Sequence, residues 1–180
     1  MTLIGKILRQ KIVVIFLILF SLMSIDSFSQ DKNFKAYSLF VYNFMKYMEW
    51  PEKDNQGDFV IGTIGDSPIE MELNQLAKTK KIRGRNIVIK KYRGLEDVGT
   101  CHLLYVASSK TSLIKEIDKK LSGKSTLVVG EREGAAYKGA GISFAIAEDD
   151  AISFDINKKA IESHALKISS SLIKLGDVID

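Results

Sequence analysis

The chain has 180 residues, 46% of them hydrophobic, with a formal charge of +4 that falls to +2 if Lys6, Arg9, Lys11 and Asp26 are removed with an N-terminal leader. A charge this small singles out no class of partner. The only cysteine, Cys101, excludes an intrachain disulfide, so stability must come from a packed core, which a chain of this length can bury in one domain.

The N-terminus carries Lys6, Arg9 and Lys11, then an apolar run over residues 12–23, then small residues at Ser27 and Ser29. This is the layout of a secretory signal peptide, with cleavage expected after Ser29. The apolar run is short of the roughly 20 residues needed to cross a bilayer, which favours removal over an uncleaved anchor, the alternative reading. With no cysteine at the cleavage region, a lipid anchor is disfavoured. Residues 1–29 are therefore set apart as leader, and 30–180 are read as one domain.

From Asn33, the residues Phe34, Tyr37, Val41, Phe44 and Met48 recur at intervals of three and four, predicting an amphipathic helix that runs until Pro51 disfavours helical geometry at Trp50. Residues 59–64 read as a buried strand. Ser67, Pro68 and Glu70 form a capping-box start for a helix over 68–78. Strands are expected over 86–92 and 102–107, with a loop at 94–99 between them. Leu113, Ile114, Ile117 and Leu121 mark a helix over 111–121 that ends at Gly123. Another strand follows over 126–129. A Gly-rich stretch, 130–141, leads into two apolar runs, 142–147 and 151–156, separated by Glu148-Asp149-Asp150 and read as a hairpin. Asn157 is expected to cap a last helix with Ile161, Ala165, Ile168, Leu172, Leu175 and Ile179 on one face. The order implies an α/β domain: a single mixed central sheet with helices on both faces, ending in a β-hairpin followed by a helix.

Several groupings invite a chemical reading. Gly123-Lys124-Ser125-Thr126 looks like the end of a phosphate-binding loop, but Asp118 stands where the pattern needs glycine, and a helix precedes the segment where a strand should. Gly62 and Gly65 precede a helix start, yet Asp66 and Glu70 already place negative charge there. Cys101 and His102 are adjacent, but neighbours on a strand point to opposite faces, so a buried thiol is the plainer reading. His164 has no carboxylate or cysteine at ligand spacing, and Ser169-Ser170-Ser171 has no base in view. No triad, carboxylate pair, metal site or cofactor site assembles, and an enzyme is not expected.

Eight basic residues and no acidic one lie between Lys78 and Arg93: Lys78, Lys80, Lys81, Arg83, Arg85, Lys90, Lys91 and Arg93. Outside the cytoplasm this stretch would meet anionic lipid, an acidic partner or solvent, and no nucleic acid. Seven aromatic residues crowd into residues 34–50, with Tyr42 and Tyr47 off the main stripe, so both core and interface readings stay open.

Taken in order, several segments resemble the YfiR family of periplasmic proteins: Phe44, Tyr47 and Glu49-Trp50-Pro51; Phe59-Val60-Ile61-Gly62 leading to Gly65; Cys101-His102-Leu103-Leu104-Tyr105-Val106; Gly139-Ala140-Gly141-Ile142; Ile152-Ser153-Phe154-Asp155-Ile156-Asn157; and Ile168 through Leu175. The likeness spans residues 34–178. It implies an exported, periplasmic protein that restrains an inner-membrane signalling enzyme, a diguanylate cyclase or a sensor kinase, by binding its periplasmic sensor part. The single cysteine departs from relatives whose disulfides could serve redox control. The partner is then an inner-membrane sensor protein, with a second copy of the chain and a small ligand as further candidates. The recognition surface is expected at Glu49-Trp50-Pro51 and at the loop bearing Glu131, Arg132, Tyr137 and Gly139, because loops at strand ends collect binding residues. The alternative function is a periplasmic small-molecule binding protein.

Overall fold

A computed structural model describes residues 33–147 and 151–179; the expected leader and the Glu148-Asp149-Asp150 turn lie outside the described residues. Helix α1 spans Phe34–Tyr47, and its first turn is capped by Asn33, whose Oδ1 accepts from the Ala36 N–H at 3.0 Å. It stops earlier than Pro51 alone would require. Met48–Glu49 turn extended as strand β1, because they pair with residues 168 and 167 near the C-terminus.

Strand β2, Phe59–Ile64, covers the expected residues. Helix α2, Ile69–Thr79, starts where Ser67 Oγ accepts from the Ile69 N–H. The capping box does not close: Glu70 turns away and joins Asp66 in holding Lys91, at 3.1 and 3.0 Å. A short strand β3, Lys81–Ile82, precedes β4, Arg85–Tyr92. Between them Arg83 and Gly84 both have positive φ, the geometry that lets a two-residue turn follow the twist of its strands.

Strand β5, Leu103–Val106, is followed by a 3-10 turn over Ser108–Leu113 and by α3, Ile114–Leu121. Then come β6, Leu127–Gly130, and the antiparallel hairpin of β7, Ile142–Ile146, and β8, Ile152–Asn157. Asn157 caps α4, Lys158–Ser163, through a 2.9 Å bond from the Ala160 N–H. The helix expected after the hairpin is present but short. Ala165 takes a left-handed φ of 57°, after which the chain forms β9, Lys167–Ile168, then α5, Ser170–Ile173, and β10, Asp177–Ile179. The apolar spacing that suggested one helix is met by separate pieces: Ile161, Leu172 and Ile179 are buried and Ile168 half-buried, while Ala165 and Leu175 are exposed.

The main sheet has the order β10-β8-β7-β6-β5-β2-β4-β3. All neighbours are parallel except β7 with β8 and β3 with β4. Alternation sorts its side chains into two cores. Phe59, Ile61, Leu103, Tyr105, Leu127, Val129, Phe144 and Phe154 face α1 and α2. Ile64, Leu104, Val106 and Val128 face Ile114, Ile117 and Leu121 of α3. The mixed sheet with helices on both faces is thus found as expected.

Phe44 is fully buried, with ring centroids of Phe154 and Phe144 at 5.0 and 5.8 Å. Phe44→Ala should therefore destabilise the domain by about 3–5 kcal/mol, read as a lowered midpoint in urea unfolding.

Candidate functional site

The N-terminal ends of β2 and β5 meet the end of α1 at a corner built around Trp50. Its ring stands edge-on to Phe59 at 5.0 Å, and its Nε1 donates to the His102 carbonyl at 3.2 Å. His102 stacks on Phe59 at 4.5 Å. Its Nδ1 accepts from the Val60 N–H at 3.0 Å, and its Nε2 lies 2.9 Å from the Asp54 carbonyl. Both bonds are satisfied by the neutral tautomer with its proton on Nε2. Burial, reinforced by Arg85, whose Nη2 lies 2.9 Å from that Nε2, holds the imidazole pKa below its ordinary value.

Arg85 organises the loop before β2. It donates to the carbonyls of Gly57, Asp54, Gln56 and Asp58 at 2.7–3.1 Å, and its guanidinium lies over the Phe59 ring. A planar fork with five N–H groups suits this task as no lysine could. Beside it opens a cavity of about 210 Å³ lined by Lys53, Asp54, Thr100, Cys101, His102, Gly123, Lys124, Ser125 and Thr126. Cys101 is buried, and desolvation pushes its thiol up to about 11. It faces Tyr92 and Thr126, and its burial disfavours the thiolate needed for nucleophilic work.

At the opposite ends of the strands, past β6, lies Glu131. It is 6% exposed and accepts from Tyr105 OH at 3.2 Å and Ser108 Oγ at 2.7 Å. Burial, and then the Glu131 charge, raise the pKa of Tyr105, so its hydroxyl stays protonated and donating. Arg132 and Tyr137 are exposed, the latter at 69%. Gly139 has φ of 111°, and a Cβ there would sit 3.3 Å from Asp118.

The residues expected to form one recognition surface therefore fall in two groups. Glu49, exposed, Trp50, buried, and Pro51, half-buried, sit where β2 and β5 begin. Glu131 and Arg132 follow the end of β6, and the chain then turns back through Tyr137 to Gly139, which lies against Asp118 and lines a small cavity with Thr126, Leu127 and Val128 at the start of that strand. The structure brings together Trp50, Asp54, Phe59, Arg85 and His102, of which only Trp50 had been singled out for recognition.

Other singled-out residues find partners across the fold. His164 is buried, with Nδ1 2.9 Å from the Thr126 carbonyl and Nε2 2.8 Å from Asp118 of α3, a carboxylate that spacing along its own helix does not reveal. Of the basic run, Arg83 donates to the Met48 carbonyl, Arg85 holds the loop and Lys91 pairs with Asp66 and Glu70. Lys78, Lys80, Lys81, Lys90 and Arg93 are exposed. In the aromatic helix, Tyr42 OH donates to the Lys81 carbonyl and Tyr47 packs against the core. Among the described residues no group of His, Cys, Asp and Glu could hold a metal ion.

Two outcomes follow at this corner. A histidine with a depressed folded pKa binds its proton better when unfolded, so its contribution to stability is complete above the ordinary pKa and is lost as pH falls through and below it. Urea midpoints measured between pH 7.5 and pH 5 should drop less steeply in His102→Asn than in the parent. Arg85→Lys keeps the charge but loses the fork, and should cost about 2–3 kcal/mol and speed amide exchange over residues 52–58.

No curated protein matches the chain. A family model described as YfiR/HmsC-like matches residues 34–177, which takes in the corner, the cavity and the Glu131 loop alike. On that match the chain belongs to the YfiR/HmsC-like family.

Proposed function

We propose that this protein is an exported regulator that works in the periplasm by binding the sensor part of an inner-membrane diguanylate cyclase and restraining it. The family match over residues 34–177 carries the reading, because membership implies a periplasmic regulator of such a cyclase. Restraint by binding needs a firm body with an accessible contact, and no reacting groups.

Within this reading the contact is made at the loop past β6. Tyr137 offers a large amphipathic side chain that is 69% exposed, and Arg132, also exposed in the same loop, adds a planar cation. Tyrosine and arginine are the residue types that most often dominate binding energy at interfaces. The loop is held from below by Glu131, whose carboxylate is fixed by Tyr105 and Ser108. Trp50, only 6% exposed, acts as the anchor of the far corner, leaving Glu49 and Pro51 at the surface as a secondary contact.

Affinity capture from envelope extracts under mild crosslinking should return a membrane sensor with a periplasmic domain; recovering no membrane protein would defeat the proposal. Tyr137→Ala should weaken capture about tenfold or more at unchanged stability, and Arg132→Glu likewise, while Glu49→Gln should matter less. The mass of the mature protein tests export, with Gln30 expected as its first residue.

A further inference from the structure

We infer that the outer edge of β4, from Ile87 to Tyr92, is a docking edge for an extended acidic segment of a partner protein, which adds to the main sheet as a further strand. This edge is a different surface from the loop past β6, and the inference holds or fails independently of the regulatory reading.

The edge is open because its cover is short. On one side β4 pairs with β2 all the way from Ile87 to Tyr92, but on the other β3 reaches only Arg85 and Asn86. Every second residue of a strand points its N–H and C=O away from a given neighbour, so a strand paired on one side leaves a row of such groups on the other. No backbone or side-chain group among the described residues bonds to that row. The opposite end of the sheet closes on β10, an edge of only three residues.

The side chains along the edge say which strand fits. Alternation puts Val88 and Lys90 on one face and Ile87, Ile89 and Lys91 on the other. Ile87 and Ile89 pack into the core under α1 and α2, and Lys91 is already neutralised by Asp66 and Glu70. On the first face, Val88 lies in register beside Val60 and is half-buried, so an apolar row across the sheet stops at the edge. Lys90, two residues on, is exposed and pairs with no carboxylate among the described residues. Lys80 and Lys81 near the start of the edge, and Arg93 just past its end, are exposed and unpaired in the same way. A strand that extends this face therefore carries an apolar residue beside Val88 and an acid beside Lys90. The same cations exclude other occupants. Edge lysines disfavour a neutral or basic strand, and a second copy joined edge to edge would bring like charges together. An anionic bilayer would answer the charges but not a row of directional donors and acceptors; an acidic strand answers both.

The test uses the mature protein and the labelled peptide acetyl-Glu-Thr-Val-Thr-Glu-amide, whose pattern reads the same in either strand direction. Fluorescence anisotropy should show binding, and amide exchange should slow within residues 87–92. The same peptide with lysine in place of glutamate should bind about tenfold more weakly or worse. A form N-methylated at the three central residues keeps the charge but loses the strand donors, and should also lose about tenfold or more. Lys90→Glu, at an exposed and unpaired position, should weaken binding about tenfold, whereas Lys159→Glu, the same change of charge on α4, should leave it unaltered. No binding at about 1 mM peptide, equal binding of the N-methylated form, or full binding by Lys90→Glu would each overturn the proposal. So would a protein that ignores the peptide and binds phosphatidylglycerol vesicles, which would assign the cations to lipid. A dimer that protects residues 87–92 without peptide would assign the edge to a second copy and overturn it as well.

Discussion

The architecture depends on one aromatic seam between α1 and the β7–β8 hairpin. Tyr37 stacks on Phe144 at 4.0 Å, Phe44 meets Phe154 edge-on at 5.0 Å, and Phe40 touches both hairpin rings at about 6 Å. Each such contact adds about 0.5–1.5 kcal/mol beyond the area it buries. The seam fixes where α1 lies across the sheet, and therefore where its C-terminal end delivers Met48, Glu49 and Trp50. It also fixes the hairpin, on which β10 lies as the last parallel strand. The corner at Trp50 is a consequence of this packing, because local propensity alone would have carried the helix further.

Two polar networks occupy opposite ends of the same strands, and they use different physics. Near the strand starts, Arg85 gathers carbonyls that a loop would otherwise leave open, and a neutral imidazole bridges that loop to β2. Past the strand ends, a buried carboxylate is held by two hydroxyl donors. The first network sets the shape of a cavity wall. The second braces a loop whose tip stands in solvent.

Much of the scaffold was legible from periodicity. Strand β2 matches residue for residue, and α2, α3, the hairpin and the Asn157 cap fall within a few positions of expectation, since each is written in a local pattern. The C-terminal segment was not, because Ile161, Ile168, Leu172 and Ile179 keep a helix-compatible spacing while serving four different short elements. The break falls at Ala165, in a conformation usually marked by glycine, so the sequence carries no sign of it. The site divides the same way. Trp50 was visible as the end of an aromatic helix, but Arg85 lay hidden in a basic run that reads as a solvated face. Asp118, the partner of His164, comes from 46 positions upstream. Contacts of that range are set by topology rather than by spacing.

The bridge between Met48–Glu49 and Lys167–Ile168, together with the Ser169 N–H bond to the Tyr47 carbonyl, joins the end of the first helix to residues about 120 positions further along the chain. Closing so long a loop adds little entropy over closing one half its length. Its effect is on timing: the joint cannot form until residues 167–169 have joined the folding chain, so the edge of the domain next to Trp50 stays open until the C-terminal pieces dock against it.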